Sequence, residues 1–304
     1  MRPDPLAILE QVLAVPRVAY VAAVVDRYGR APGGLLANGL AFTALFASIP
    51  TALVALGLAG LLVDDPALQA ALAAALSSAL PPLADVIDAS LVALTEGAPI
   101  TSIVGLVGLI WTVSQLYVTL DVAFTRVFSG TAERDMVRRT ARGFLWVAIV
   151  IALVIVAIVG GALLAAAETI LPSGSPIPAA IGSLVTSWPT LLALGVLLVA
   201  VIYRYVPARN PGWSTVVAPA IVTGLAIGVL TQLFAFLAPR LVGIASVVGS
   251  LATIFVALAW LSFSFQALLL GACWVAEIDV RRRGPIDSAL ATPAAPTEAG
   301  IGGQ

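Results

Sequence analysis

The chain has 304 residues, of which 61% are hydrophobic and 10% are charged, and its mean hydropathy is +1.08. Soluble domains have roughly 45–50% apolar residues, so this composition excludes a soluble globular protein and indicates an all-α protein that crosses a membrane several times. The chain has no histidine, no lysine and one cysteine, which excludes an intrachain disulfide, a standard zinc site, a histidine general base and a Walker A motif.

Residues 1–34 alternate apolar and charged positions, and Leu6, Leu9 and Leu13 have helical spacing. This pattern predicts an amphipathic cytoplasmic segment made of short helices. Such helices either lie on the membrane interface or pack under the membrane bundle, because both arrangements need one apolar stripe.

Residues 35–280 are predicted to form a six-helix membrane domain. A membrane helix needs about 20 apolar residues to cross the hydrocarbon core of a bilayer, and six runs are long enough. The first of them contains Pro50 near its middle, where proline frees a backbone carbonyl that nearby serine or threonine side chains can bind. The six predicted spans are 35–63, 103–128, 143–171, 188–205, 213–237 and 247–275.

Residues 67–94, between the first two spans, are predicted to lie outside the membrane. Leucines recur at every fourth position up to Pro81-Pro82, and the opposite side is polar. The double proline and the polar side favour two short amphipathic helices on the outer surface over a further span. A span here would also reverse the sidedness of the arginines that follow.

The arginines predict the orientation of the bundle, because loops that keep positive charge remain in the cytoplasm. The densest group lies in the hairpin 126–142, after the second span. Six spans with both termini in the cytoplasm place every arginine except Arg240 on that side. Residues 203–205, Tyr-Arg-Tyr, are interpreted as an anchor at the membrane interface. Residues 281–304, a basic stretch followed by Ala, Pro, Thr and Gly, are predicted to be a basic end and a disordered cytoplasmic tail.

Polar side chains within two of the spans are the candidates for a functional site. The second span carries Ser114, Gln115 and Asp121 near one side, and the sixth carries Gln266 and Glu277. A carboxylate inside a membrane is costly and therefore often functional. These five residues predict a polar cavity between the second and sixth spans.

A structural role for the same residues is the alternative. Asp121 could pair with a cation from another helix, and Arg204 is the candidate partner because it also lies near a cytoplasmic helix end. Ser262 and Gln266 could hold helices together by interhelical hydrogen bonds.

The chain resembles a known family in several short pieces. They are Asn38 to Phe42 with Pro50, Gly108 to Trp111, Tyr203 to Pro207, Trp213 with Pro219, and Gly249 to Ala252 with Trp260 and Leu270 to Ala272. Their order and spacing over residues 28–283 are similar to those of the YihY/BrkB family of bacterial inner-membrane proteins, once labelled ribonuclease BN. The resemblance implies six membrane helices in a bacterial cytoplasmic membrane, with both termini inside.

Two functions are predicted, a transporter or exporter-like bundle and a non-transporting scaffold protein for envelope integrity. We expect no enzymatic activity and no cofactor. A nuclease would need paired carboxylates for divalent metals, and the close cytoplasmic pair, Glu133 and Asp135, is embedded among arginines. The expected partners are the lipid bilayer, anionic lipid headgroups at the cytoplasmic arginines, and an unknown small-molecule or lipid substrate. We expect no nucleic-acid partner, and the oligomeric state is left open.

Overall fold

The computed structural model describes residues 16–62, 74, 107–128, 149, 180, 182–184, 187–207, 211–244 and 250–290. Within these ranges the secondary structure is helical, as predicted for an all-α protein. The long helices are α1 Pro16–Arg30, α2 Gly33–Leu62, α3 Val107–Val127, α4 Trp188–Tyr205, α5 Trp213–Ile244 and α6 Ser250–Leu290.

Helices α2 to α6 are long and apolar enough to cross a membrane. They confirm five of the predicted spans as helices, and the bounds of α4 coincide with the predicted 188–205. Large apolar side chains point out of the bundle on these helices, with Trp111, Leu194 and Phe255 each more than half exposed. Such side chains fit contact with lipid. The predicted third span, 143–171, and the predicted outer insertion, 67–94, lie outside the described residues apart from isolated helical positions.

Helix α2 continues through Pro50, which is buried. Gly108 of α3 lies against the proline ring, because a Cβ atom at Gly108 would be 3.3 Å from Pro50 Cβ. The hydroxyls of Ser48 and Thr51 donate hydrogen bonds to nearby carbonyls of their own helix. Neither hydroxyl binds the carbonyl of Phe46, four residues before the proline, which is the one that Pro50 frees. Its binding by a side chain therefore stays a prediction.

Helix α6 is the centre of the bundle and packs against α1, α2, α4 and α5. It runs to Leu290, so it includes the basic end and continues into the segment from Gly284 that was predicted to be disordered. Side-chain contacts hold the basic end in place. Arg281 binds Glu277 at 2.8 Å, and Arg282 donates a hydrogen bond to Ser214 of α5 at 2.5 Å.

Helix α1 confirms the helix predicted in the N-terminal segment. One side packs against α6, and Val24 and Tyr28 contribute to the core there. The adjoining part of the same apolar stripe exposes Val21 and Val25. The helix therefore packs on the bundle and also presents an apolar stripe, so the two predicted arrangements are not exclusive.

Helices α4 and α5 approach each other closely at two glycines of α5. A Cβ at Gly224 would lie 2.8 Å from Val196 Cα, and a Cβ at Gly228 would lie 2.4 Å from Leu192 Cδ1. Glycines four residues apart allow such close packing, which stabilises helix pairs in lipid, where apolar burial gives no driving force. The pairing also shows that α4 and α5 run antiparallel.

Candidate functional site

The polar residues of α3 differ in how much of their surface is exposed. Ser114 is partly buried, Gln115 is exposed, and Asp121 is buried with 4% of its surface exposed. Among the described residues, no hydrogen bond joins Ser114 or Gln115 to the candidates on α6. The predicted polar cavity between these two helices therefore stays a prediction.

Gln266 belongs to a chain of hydrogen bonds that links α6 to α2. Its Nε2 donates to Ser262 Oγ at 3.2 Å, and Ser262 Oγ donates to Asn38 Oδ1 at 2.5 Å. These contacts support the packing role that was the alternative for Ser262 and Gln266.

Glu277 and Arg27 together join three helices near one end of the bundle. Its carboxylate accepts from Arg27 Nη2 of α1 at 3.2 Å and from Arg281 at 2.8 Å. Arg27 Nη1 also donates to the carbonyl of Val127, the last residue of α3, at 3.4 Å. The side chains of Arg27 and Glu277 are only 16% and 13% exposed, so this ion pair is largely withdrawn from solvent. We call these contacts the Arg27–Glu277 clamp.

Arg204, the candidate partner of Asp121, lies partly buried on α4. Its Nε and Nη1 atoms are buried and have no hydrogen-bond partner in the described ranges, and its guanidinium lies 5.7 Å from the ring centre of Tyr205. The pairing of Arg204 with Asp121 stays a prediction.

Tyr203 was interpreted as part of an interface anchor, and this was wrong. Its side chain is fully buried, and its hydroxyl donates to the Leu268 carbonyl at 2.7 Å and lies 3.2 Å from the Thr223 hydroxyl. A Cβ at Gly271 would lie 2.1 Å from both hydroxyl oxygens. Only glycine leaves room for this contact of α4, α5 and α6, which we call the Tyr203 junction. Tyr205, by contrast, is exposed as an anchor would be.

A cavity of about 390 Å³ lies between α4, α5 and α6. It extends along α4 from Trp188 to Ile202, about 21 Å at 1.5 Å per helical residue. Its rim includes Leu194 and Leu198, which are 59% and 49% exposed, so it opens to the outside of the bundle. None of the six candidate residues predicted from the sequence lines it. We call it the intramembrane cavity.

The two ends of the intramembrane cavity differ in polarity. At the Trp188 end the lining includes Thr231 and Gln232 of α5, and the indole of Trp260 donates to Thr231 Oγ1 at 3.2 Å. The Ile202 end is lined by apolar side chains and borders the Tyr203 junction, since Gly224 follows Thr223 and Leu268 belongs to the junction. The cavity is therefore a largely apolar slot whose polar groups lie at one end, apart from Ser264 of α6, which lies midway and donates to the Trp260 carbonyl.

The sequence does not indicate this cavity, because most of its lining is apolar. In a membrane span, side chains that face lipid and side chains that face a cavity have the same composition. Two glycines of the lining, Gly224 and Gly228, were a usable signal, because glycines four residues apart indicate a close helix pair. Their partners on α4 require the structure.

No group of three His, Cys, Asp or Glu residues within the described ranges is close enough to hold a metal ion. Whether the chain has enzymatic activity stays a prediction.

Searches of curated proteins and of solved structures found no match. Comparison with protein families finds a match to the family described as Virulence factor BrkB over residues 24–295. With five helices in the described part of the chain that could span a membrane, and a match over most of its length, the chain is a multi-span membrane protein that belongs to the BrkB family.

Proposed function

We propose that this BrkB-family protein is a transporter or exporter-like bundle and that the intramembrane cavity is its substrate-binding site. The observation that carries the proposal is the cavity itself, about 390 Å³ among three membrane helices and open on one side. Ligand-binding cavities typically have volumes of about 300–1,000 Å³, mostly apolar linings and a few polar groups. The cavity has each of these properties, with its polar groups at the Trp188 end.

The proposal includes six spans, with residues 143–171 as the third, the amphipathic insertion 67–94 outside, and both termini in the cytoplasm of a bacterial inner membrane. The arginine distribution supports this orientation. The Trp188 end of the cavity then faces the outside. Reporter fusions after residue 63, after residue 142 and at the C-terminus should report outside, inside and inside, and an outside signal from the C-terminus would contradict the orientation.

A scaffold role in the cell envelope is the second candidate. Polar side chains in the described spans take part in helix contacts, as Gln266 does with Ser262 and as Tyr203 does with Leu268. A bundle whose polar groups serve only packing needs no substrate. This role predicts that substitutions at these positions lower stability and change no flux.

Flux measurements separate the two functions. Vesicles that contain the purified protein are compared with protein-free vesicles. Both receive an extract of small molecules and lipids from bacterial cells, and mass spectrometry identifies the compounds on each side of the vesicle membrane. If the protein is a transporter, at least one compound should cross the vesicle membrane faster when the protein is present. No difference for any compound would favour the scaffold.

Asp121 gives a second comparison, because it is buried within α3. If it lies on the transport route, Asp121→Asn should abolish flux and leave the free energy of unfolding unchanged. If it only holds helices together, the same variant should lower the free energy of unfolding and spare the flux.

We further propose that the chain is not an enzyme and binds no nucleic acid. Exposed arginines support contact with anionic lipid headgroups; Arg30, for example, is 73% exposed while it pairs with Asp26. Purified protein incubated with RNA and Mg²⁺ or Mn²⁺ should leave the RNA intact. Cleavage that disappears in Glu133→Gln or Asp135→Asn would contradict this.

A further inference from the structure

We propose that the intramembrane cavity binds one acyl chain of a membrane lipid, with the polar part of the lipid at the Trp188 end and the end of the chain towards Ile202. This inference rests on the proposed function only in naming the substrate class of the same site. The binding itself does not require transport.

The dimensions of the cavity support an acyl chain. The lining extends about 21 Å along α4, from Trp188 to Ile202. One leaflet of the hydrocarbon core is about 15 Å thick, half of about 30 Å. A chain that spans one leaflet therefore fits lengthwise.

The opening of the cavity faces the lipid bilayer, which is made of acyl chains. Leu194 and Leu198 at its rim lie on a membrane-spanning helix and are exposed, so none of the described helices separates the rim from the surrounding lipid. A polar solute would have to cross hydrocarbon to reach the same opening. The surroundings thus favour an apolar group that already resides in the bilayer.

The polarity gradient determines the orientation of the lipid. Gln232, Thr231 and the indole of Trp260 lie at one end of the slot, where hydrogen-bonding groups can meet the ester or headgroup region. At the other end the Tyr203 junction ties α4, α5 and α6 together. The hydroxyl of Tyr203 is engaged by Leu268 and Thr223, so this end offers only apolar contacts.

Gly195 provides a variant that fills the cavity without disturbing the helix contacts. It lines the cavity, and a Cβ placed there meets no atom within 4 Å. Gly195→Leu therefore projects its side chain into the slot. Gly39→Leu is the matched control, because Gly39 lies on α2, outside the cavity, and its Cβ would also meet nothing within 4 Å.

Fluorescence of Trp260 reports occupancy, because this residue lines the cavity and is only 5% exposed. The full chain, with Trp260 as its single tryptophan, is reconstituted in phosphatidylcholine vesicles with or without bromine atoms on the acyl chains. Bromine quenches tryptophan only at short range. A second full-length variant that keeps only Trp111, which is 67% exposed, shows the quenching caused by lipid around the bundle.

We expect brominated lipid to quench Trp260, Gly195→Leu to remove most of that quenching, and Gly39→Leu to preserve it. Bromine near the headgroup should quench Trp260 more than bromine at the chain terminus. Equal quenching in wild type and Gly195→Leu, no quenching of Trp260, or stronger quenching by terminal bromine would overturn the proposal. Quenching without flux in vesicles would refute transport alone, and flux without quenching would refute the acyl-chain site alone.

Discussion

The Tyr203 junction makes a sharp prediction for Gly271→Ala. The new methyl group would lie 2.1 Å from Tyr203 Oη and from Thr223 Oγ1. Ordinary van der Waals contact begins at 3.4 Å, so each oxygen must move by about 1.3 Å, the difference of the two distances. A shift of this size breaks the 2.7 Å hydrogen bond from Tyr203 to the Leu268 carbonyl.

The magnitude follows from the two costs. Overpacking in a dense core costs about 1–3 kcal/mol, and a buried hydroxyl left without its partner costs about 1–3 kcal/mol. Because the same displacement causes both, we expect the free energy of unfolding to fall by the sum of the two costs, about 2–6 kcal/mol. Unfolding by sodium dodecyl sulfate in mixed micelles, followed by circular dichroism, measures this change.

Two controls identify the cause. Gly39→Ala, whose new methyl group meets no atom within 4 Å, should keep or raise the stability, since alanine is the better helix former. In a background of Tyr203→Phe and Thr223→Ala, which removes both oxygens, Gly271→Ala should be less costly by about 1–3 kcal/mol. A wild-type stability for Gly271→Ala, or the same cost in both backgrounds, would refute the junction.

Three further predictions concern other contacts of the bundle. Glu277→Gln should lower the free energy of unfolding by about 1–3 kcal/mol, because it leaves the partly buried Arg27 without its carboxylate. The control Asp26→Asn, in an exposed pair, should change the free energy of unfolding by less than about 1 kcal/mol, and equal costs for the two variants would contradict the clamp. Gly224→Ala should force α4 and α5 apart and cost about 1–3 kcal/mol in the same assay; an unchanged stability would contradict their close packing. Cys273 is fully buried, so it should react with a maleimide only after unfolding, and rapid labelling of the folded protein would contradict its place in the core.

The helices themselves were largely predictable from the sequence. The bounds of α4 followed from its apolar run between Trp188 and Tyr205, and the length of a bilayer limits how far such a run extends. The match to the BrkB family also agrees with the resemblance read from short sequence pieces.

The contacts between helices were less predictable. Tyr203 and Tyr205 are two residues apart near the same helix end, yet one is fully buried and the other is exposed. Both lipid and bundle interior are apolar, so hydrophobic periodicity does not distinguish them. The partner of Glu277 on α1 is 250 residues away in the sequence, and no local pattern indicates it.

The central claim is that the cavity between α4, α5 and α6 is the substrate site of a transporter. The most direct test compares redistribution of bacterial lipids and small molecules across vesicles that contain wild type, Gly195→Leu or Gly39→Leu. Because Gly195→Leu fills the cavity and Gly39→Leu does not, we expect the first variant to abolish the redistribution and the second to retain it. Redistribution by Gly195→Leu at the wild-type rate would contradict the claim.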